Sequence, residues 1–290
     1  MKLSVCMIVK NEEVMLEQCL SSVIGADELI ICDTGSIDKT VEIAKKYTDK
    51  VYTDFEWCDS FAKARNHANS KATGDWILTI DADEHLEPGG LALIREAIKD
   101  FDGDAINLNV VATDKSTVFK NIRLYRNAPH VKWHGAAHNY VSVPATKECE
   151  ATIVFGYSPA HKLDPDRTMR ILEKATEDNP SLSREWYYLG REYWYRGQYQ
   201  KAIDTLDIYV KGSKNIPERS DAYLMQARAL WAMRRGEEAR QTCMLSILNN
   251  ANFKEAVLFM AELHWEHNAN AWKKFAECCT NEGVLFKLVE

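Results

Sequence analysis

Trp76-Ile77-Leu78-Thr79-Ile80-Asp81-Ala82-Asp83-Glu84 is an apolar run that ends in a cluster of carboxylates. The run reads as a buried strand and the acidic stretch as the loop into which it opens. Alternation along an extended chain predicts Asp81 and Asp83 on one side of that strand end. Two carboxylates so placed suit a hard divalent cation that also holds phosphate oxygens. Acidic residues after a strand also serve as plain turn formers, so the stretch takes its meaning from what lies around it.

Upstream, strand and helix patterns alternate. Leu3–Val9 is β-rich, residues 12–23 carry helical apolar spacing at Val14, Leu16, Cys19, Leu20 and Val23, and residues 28–32 return to strand. Asp33-Thr34-Gly35-Ser36 makes a turn, residues 38–47 restart a helix, Val51–Tyr52 is a short strand, and residues 60–72 are helical before the strand at 74–80. Strands separated by helices predict a parallel α/β sheet whose ligands bind beyond the carboxyl ends of the strands. The polar stretches Lys10-Asn11-Glu12, Asp33-Thr34-Gly35-Ser36 and 81–84 all fall at such ends.

At 290 residues, 46% hydrophobic and 27% charged, the chain has the composition of a globular protein with room for two domains. A net charge of −7 without a dense basic run argues against a dedicated nucleic-acid binder. No apolar stretch reaches the roughly 20 residues of a membrane span, and the apolar opening stops at Lys10 without a cleavage-site pattern. Eight scattered cysteines, with no Cys-x-x-Cys pair, read as reduced thiols of a cytoplasmic protein and against a structural zinc site.

The sequence Ser4-Val5-Cys6-Met7-Ile8-Val9-Lys10-Asn11-Glu12, the Asp33-Thr34-Gly35-Ser36 turn with Asp38 and Thr40, Phe61-Ala62-Lys63-Ala64-Arg65-Asn66, and Asp81-Ala82-Asp83-Glu84 stand in the order and spacing of family 2 glycosyltransferases. The resemblance is strong over residues 1–90 and weaker to about 165. It implies a GT-A fold, a nucleotide-sugar donor with UDP-sugar foremost, Mn²⁺ or Mg²⁺, and inversion at the anomeric carbon. It also implies roles: Asp33 accepting from the uracil imide, Val9 and Glu12 beside the nucleoside, Arg65 near base or diphosphate with Asn66 buttressing its loop, Asp81 near ribose and metal, and Asp83 ligating the metal of the DXD motif.

Residues 105–161 complete the expected catalytic domain, with strands at 106–111 and 122–126. The segment 131–141 holds Trp133, Gly135 and His138, which resemble the Trp-x-Gly-x-x-His-Glu pattern of related transferases, but Asn139 replaces the acidic residue. An amide cannot take a proton from an attacking hydroxyl, so the base is sought elsewhere: Glu84 first, then Asp164 or Asp166. His138 is a third metal ligand, a sugar-site residue or a structural histidine; Trp133 could stack on a sugar face, and His161 could line the acceptor side.

Near residue 165 the pattern turns helical, predicting domains 1–165 and 166–290. Trp186-Tyr187-Tyr188-Leu189-Gly190, Tyr193, Tyr199, Ala202 and Leu206 follow tetratricopeptide spacing, which recurs at Tyr223, Ala227, Leu230, Gly236 and Ala239 and in a third unit near Ala256. So short an array is expected to dock on the catalytic domain or on a second subunit, as in a homodimer. The reading is a metal-dependent transferase acting on a peptide, protein or glycan acceptor, similar to S-glycosyltransferases with helical C-terminal domains. Its alternative is a catalytically impaired adaptor that binds peptide or protein partners; a nucleotidyltransferase is weaker, since no Gly-rich, Lys-bearing phosphate loop follows the first strand.

Overall fold

Leu3–Val9 (β1) is buried on both faces: Leu3, Val5, Met7 and Val9 belong to one apolar layer and Cys6 to the other. A near-continuous apolar run is what a central strand covered on both sides requires. The computed structural model describes residues 1–181, 183–264 and 269–281, without the side chains of residues 161, 162 and 183. After β1 come α1 (Leu16–Val23), β2 (Glu28–Asp33), α2 (Thr40–Ala44), β3 (Val51–Tyr52), α3 (Phe61–Ser70), β4 (Trp76–Thr79), β5 (Glu84–Leu86), α4 (Gly90–Ile98), β6 (Ala105–Ala112) and β7 (Val118–Arg126). Then follow β8 (Trp133–His134), β9 (Tyr140–Val141), β10 (Lys147–Phe155) and a 3-10 helix at Pro159–Leu163.

The main sheet has the order β3-β2-β1-β4-β7-β6-β10-β5, and β8 pairs with β9 in a separate hairpin. The parallel sheet expected from the sequence is realised over β3, β2, β1 and β4 and again in the β6–β10 pair. β7 runs antiparallel to both β4 and β6, and β5 antiparallel to β10. For β7 the physical reason is the short 113–117 connection from β6, which closes a hairpin but cannot carry a crossover. Helices α1 and α4 cover one face of the sheet, while α3 and the β8–β9 hairpin cover the other around Tyr125 and Trp133. Helix α1 begins at Leu16, later than its apolar spacing predicts, because Asn11 adopts φ 56° and the Glu12 carbonyl closes a turn with the Met15 and Leu16 amides.

The chain divides into two compact units, Met1–Arg167 and a helical one from Thr168 onward. The helices are α5 (Arg167–Asp178), α6 (Ser183–Tyr195), α7 (Tyr199–Gly212), α8 (Ile216–Ala232), α9 (Gly236–Asn249), α10 (Lys254–Leu263) and α11 (Ala269–Cys278). They pair as the hairpins α6–α7, α8–α9 and α10–α11. Ala202, Ala239 and Ala276, spaced 37 residues apart, are all buried in the second helix of their hairpins. Gly190 lets α6 approach α7 closely, since a Cβ there would lie 2.5 Å from Leu206 Cγ. The turns repeat too: Gly197 at φ 69° and Arg234 at φ 61° occupy equivalent left-handed positions, each followed by the paired amide-to-carbonyl bonds that end a helix in a Schellman motif.

Candidate active site

Three loops meet beyond the carboxyl ends of β1, β2 and β4, and short polar side chains stitch the first two together. The Asn11 amide donates to Ser36 Oγ at 2.9 Å, Asn11 Oδ1 accepts from the Ile37 amide at 2.8 Å, and the Glu12 amide donates to Thr40 Oγ1 at 2.7 Å. The left-handed backbone of Asn11 turns these groups toward the second loop. Val9 is buried, and its carbonyl accepts from both the Thr34 amide and hydroxyl at 2.9 and 3.1 Å. Asp33, 4% exposed, closes its own turn: its carboxylate accepts from the Gly35 and Ser36 amides, each at 3.0 Å. A carboxylate offers about four acceptor directions, so these bonds leave capacity for a further donor.

Burial pushes the Glu12 carboxyl up to about 7; a hydrogen bond donated by Ser158 Oγ at 2.6 Å opposes the rise, and the charges of Asp83 and Asp81 add to it. Ser158 is itself buried and accepts from the Ala160 amide, so the start of the 3-10 helix is tied to the β1–α1 loop. The Gly156 amide donates to the Asp83 carbonyl at 2.9 Å, fastening the same segment to the acidic stretch.

The acidic stretch differs from its sequence reading. β4 ends at Thr79, and residues 81–84 form a turn closed by the Glu84 amide donating to the Asp81 carbonyl at 3.0 Å. Asp81 and Asp83 therefore flank a turn and do not alternate along a strand. Asp81, with 32% of its side chain exposed, has one oxygen held by Arg65 Nη2 at 2.7 Å and the other near Arg123 Nη1 at 3.4 Å. Burial alone would raise its pKa, but the two guanidiniums outweigh it and hold the carboxyl at about 2. Asp83 is half-buried beside it. Glu84, 5% exposed, accepts from Arg123 Nη2 and, at 2.8 Å, from the Asp81 amide. Burial pushes its carboxyl up to about 7, with Arg123 pulling it back and the Asp81 charge adding to the rise. Glu84 thus braces the turn from inside, a placement unlike that expected of a base facing an acceptor.

Arg65 is 9% exposed; its Nε and Nη1 have no hydrogen-bond partner, and its guanidinium lies 4.9 Å from the centre of the Trp133 ring. Trp133 is also buried, with its indole N–H donating to Tyr125 Oη at 2.8 Å. The expectation that Trp133 stacks on a sugar is corrected here: a ring that is buried and faced by Arg65 supports the site from behind. Asn66 holds the Trp133 backbone by two 2.9 Å bonds, to its carbonyl and from its amide. Its amide group is thereby committed to the β8 loop and not directed at a nucleotide. His138 is exposed in the turn between β8 and β9, where Gly135 adopts φ 89°, and Asn139 Nδ2 donates locally to the Ala137 carbonyl. Among the described residues no three His, Cys, Asp or Glu side chains assemble as a metal cage. Asp164 ends the 3-10 helix half-buried, Asp166 is exposed, and the His161 side chain lies outside the described part.

Sequence reading missed Arg123 and Ser158. Arg123 had a signal, a guanidinium inside the otherwise apolar Ile122–Tyr125 run; Ser158 had none, since its partner lies 146 residues away.

Residues 4–147 match the sequence model of glycosyl transferase family 2. The N-terminal unit is a family 2 glycosyltransferase domain. The chain is 39% identical over 144 residues to a TPR repeat-containing protein of Synechococcus elongatus, covering 48% of this chain and 35% of that one. It is 27% identical over 227 residues to the SPbeta prophage-derived glycosyltransferase SunS of Bacillus subtilis, covering 73% of this chain and 54% of SunS. It therefore spans only about a third to a half of these relatives. The crystal structure of S. aureus TarS 1-349 in complex with UDP superposes with a TM-score of 0.50 at 15% identity, covering 87% of this chain and 90% of that one. That likeness concerns the fold: a mixed-sheet GT-A core followed by a helical C-terminal region.

Proposed function

We propose that the chain transfers a sugar from a nucleotide-sugar, most simply a UDP-sugar, to a peptide, protein or glycan acceptor, inverting the anomeric centre with the help of Mn²⁺ or Mg²⁺. The observation that carries the reading is Arg65: a buried guanidinium with two unpartnered nitrogens beside an acidic turn at the carboxyl edge of the sheet. Buried donors without partners cost about 1–3 kcal/mol each, and a diphosphate would satisfy them with charge-assisted bonds. UDP in the TarS crystal structure supports uridine as the base, and Asp33 retains the acceptor capacity that an imide N–H needs.

The residues present fit a divalent cation. Asp83 and Asp81 already raise the Glu12 pKa by repulsion, so negative charge is concentrated where a cation would relieve it. Asp83 would hold the ion with the donor's own phosphate oxygens, and the ion would neutralise charge as the nucleoside diphosphate departs. Arg65 orients that diphosphate, and the stitched loops around Asp33 hold the base edge. Glu84 being committed to the turn, Asp164 is the base we assign, with His138 on the sugar side. The adaptor alternative draws on Asn139, whose amide bonds locally; absence of Mn²⁺-dependent UDP-sugar hydrolysis would favour it.

Asp83→Ala should abolish the Mn²⁺-dependent part of UDP affinity in calorimetry while thermal stability stays near wild type, because the turn is braced through Asp81 and Glu84. Unchanged Mn²⁺-dependent affinity would remove Asp83 from the metal.

A further inference from the structure

Ile122 and Tyr125 lie three residues apart in β7 yet pack in the same apolar cluster, which regular strand alternation forbids. The register with β6 explains it: Ile106 pairs with Leu124 and Asn107 with Ile122, so Arg123 is the extra residue of a β-bulge. A bulge re-aims one side chain without ending the strand. Here the re-aimed side chain is 11% exposed and reaches Glu84 and Asp81 on the acidic turn.

We infer that Arg123 is a positioning residue for the donor site: it fixes the Asp81–Glu84 turn so that Asp83 faces the donor. The inference rests on the nucleotide-sugar reading above. Three features support it. Arg123 supplies the cation for Glu84, a carboxylate 5% exposed. It shares Asp81 with Arg65, so the carboxylate stands between two guanidiniums and its orientation is fixed from both sides. And Glu84 returns a bond to the Asp81 amide, which links the guanidinium to the backbone of the turn as well as to its side chain. Partners of this outer kind alter metal affinity by about 10–100-fold when removed.

A mutant cycle separates positioning from simple neutralisation of a buried charge. UDP binding is measured calorimetrically with and without MnCl₂, and Tm recorded, for wild type, Arg123→Met, Glu84→Gln and Arg123→Met/Glu84→Gln. Arg123→Met should lower Tm and weaken Mn²⁺-dependent UDP binding at least about tenfold. The double variant, with no unpaired buried carboxylate, should recover Tm but stay at least about tenfold weaker for Mn²⁺ and UDP, since Asp81 still lacks its second guanidinium. Recovery of both Tm and affinity in the double variant makes Arg123 a charge neutraliser and overturns the inference, as does wild-type affinity in Arg123→Met. If Arg123→Met does not fold, the double variant against Glu84→Gln gives the same comparison. Wild-type protein that binds no UDP with MnCl₂ overturns the nucleotide-sugar reading itself, and the inference with it.

Discussion

At the scale of the residue, Asp33 does two jobs with one carboxylate, capping the Gly35–Ser36 turn and, on the function proposed, reading the base. Asp33→Asn keeps one oxygen for the cap but can turn an N–H toward an imide N–H. Uridine nucleotides should then weaken by about tenfold or more, a loss near 1.4 kcal/mol, while GDP, weak to begin with, changes little. Equal losses for UDP and GDP in competition binding would take Asp33 out of base recognition. Asp33 and the 81–84 acids were visible in the sequence because each follows a strand end that periodicity locates, whereas Arg65, inside helix α3, was marked only by the family resemblance of the 61–66 stretch. What the acids do to one another was not visible. Whether Asp81 and Asp83 alternate or flank a turn depends on where β4 stops, and the turn is held by Arg123, whose direction depends on a bulge. A bulge adds one residue to a strand without changing its composition, so no periodicity reveals it.

At the scale of the element, β2 is pinned at its amino end by a carboxylate that contributes nothing to the site. Glu28 accepts from Ser4 Oγ, the Thr73 amide at 2.8 Å, Thr73 Oγ1 at 3.0 Å and Lys50 Nζ, and is buried. Burial works to raise its pKa, but the hydrogen bonds from Lys50, Ser4 and Thr73 outweigh it and hold it at about 2, against 4.5 for a free glutamate. Because the folded value is depressed, the stabilisation is complete above about pH 4.5 and is lost as pH falls toward 2. Glu28→Gln should cost about 2 kcal/mol at neutral pH and should flatten the acid side of the stability curve between pH 5 and 2. Urea melts across that range test it; a Gln variant with the wild-type acid slope would show that another carboxylate sets it. The sequence placed β2 well, but nothing in it paired Glu28 with Thr73. Strand β10 was overlooked although Cys149, Ala151 and Ile153 alternate inward with period two, because its charged outer positions mask the pattern.

At the scale of the whole molecule, the chain joins an α/β unit built on sheet edges to a helical unit built on repeats, and each has its own core. The repeats were readable because Gly190, Ala202, Ala227 and Ala239 are small where helices approach, a demand that recurs at each hairpin and so leaves a period. No donor motif falls in the helical unit, whereas tetratricopeptide arrays commonly select partners through side chains of their first helices. On the function proposed, that unit should govern the acceptor and leave the donor alone. Arg228 on α8 and Glu255 on α10 join the first helices of neighbouring hairpins at 2.6 Å, with 33% and 21% of their side chains exposed. Exchanging them, as Arg228→Glu with Glu255→Lys, keeps an ion pair but inverts the local pattern of charge, so the fold should survive. With an acceptor identified by mass spectrometry of donor-supplied protein mixtures, the exchange should raise acceptor KM several-fold and leave UDP-sugar hydrolysis near wild type. If hydrolysis and transfer instead fall together at normal Tm, the helices shape the donor site and this division of labour is wrong.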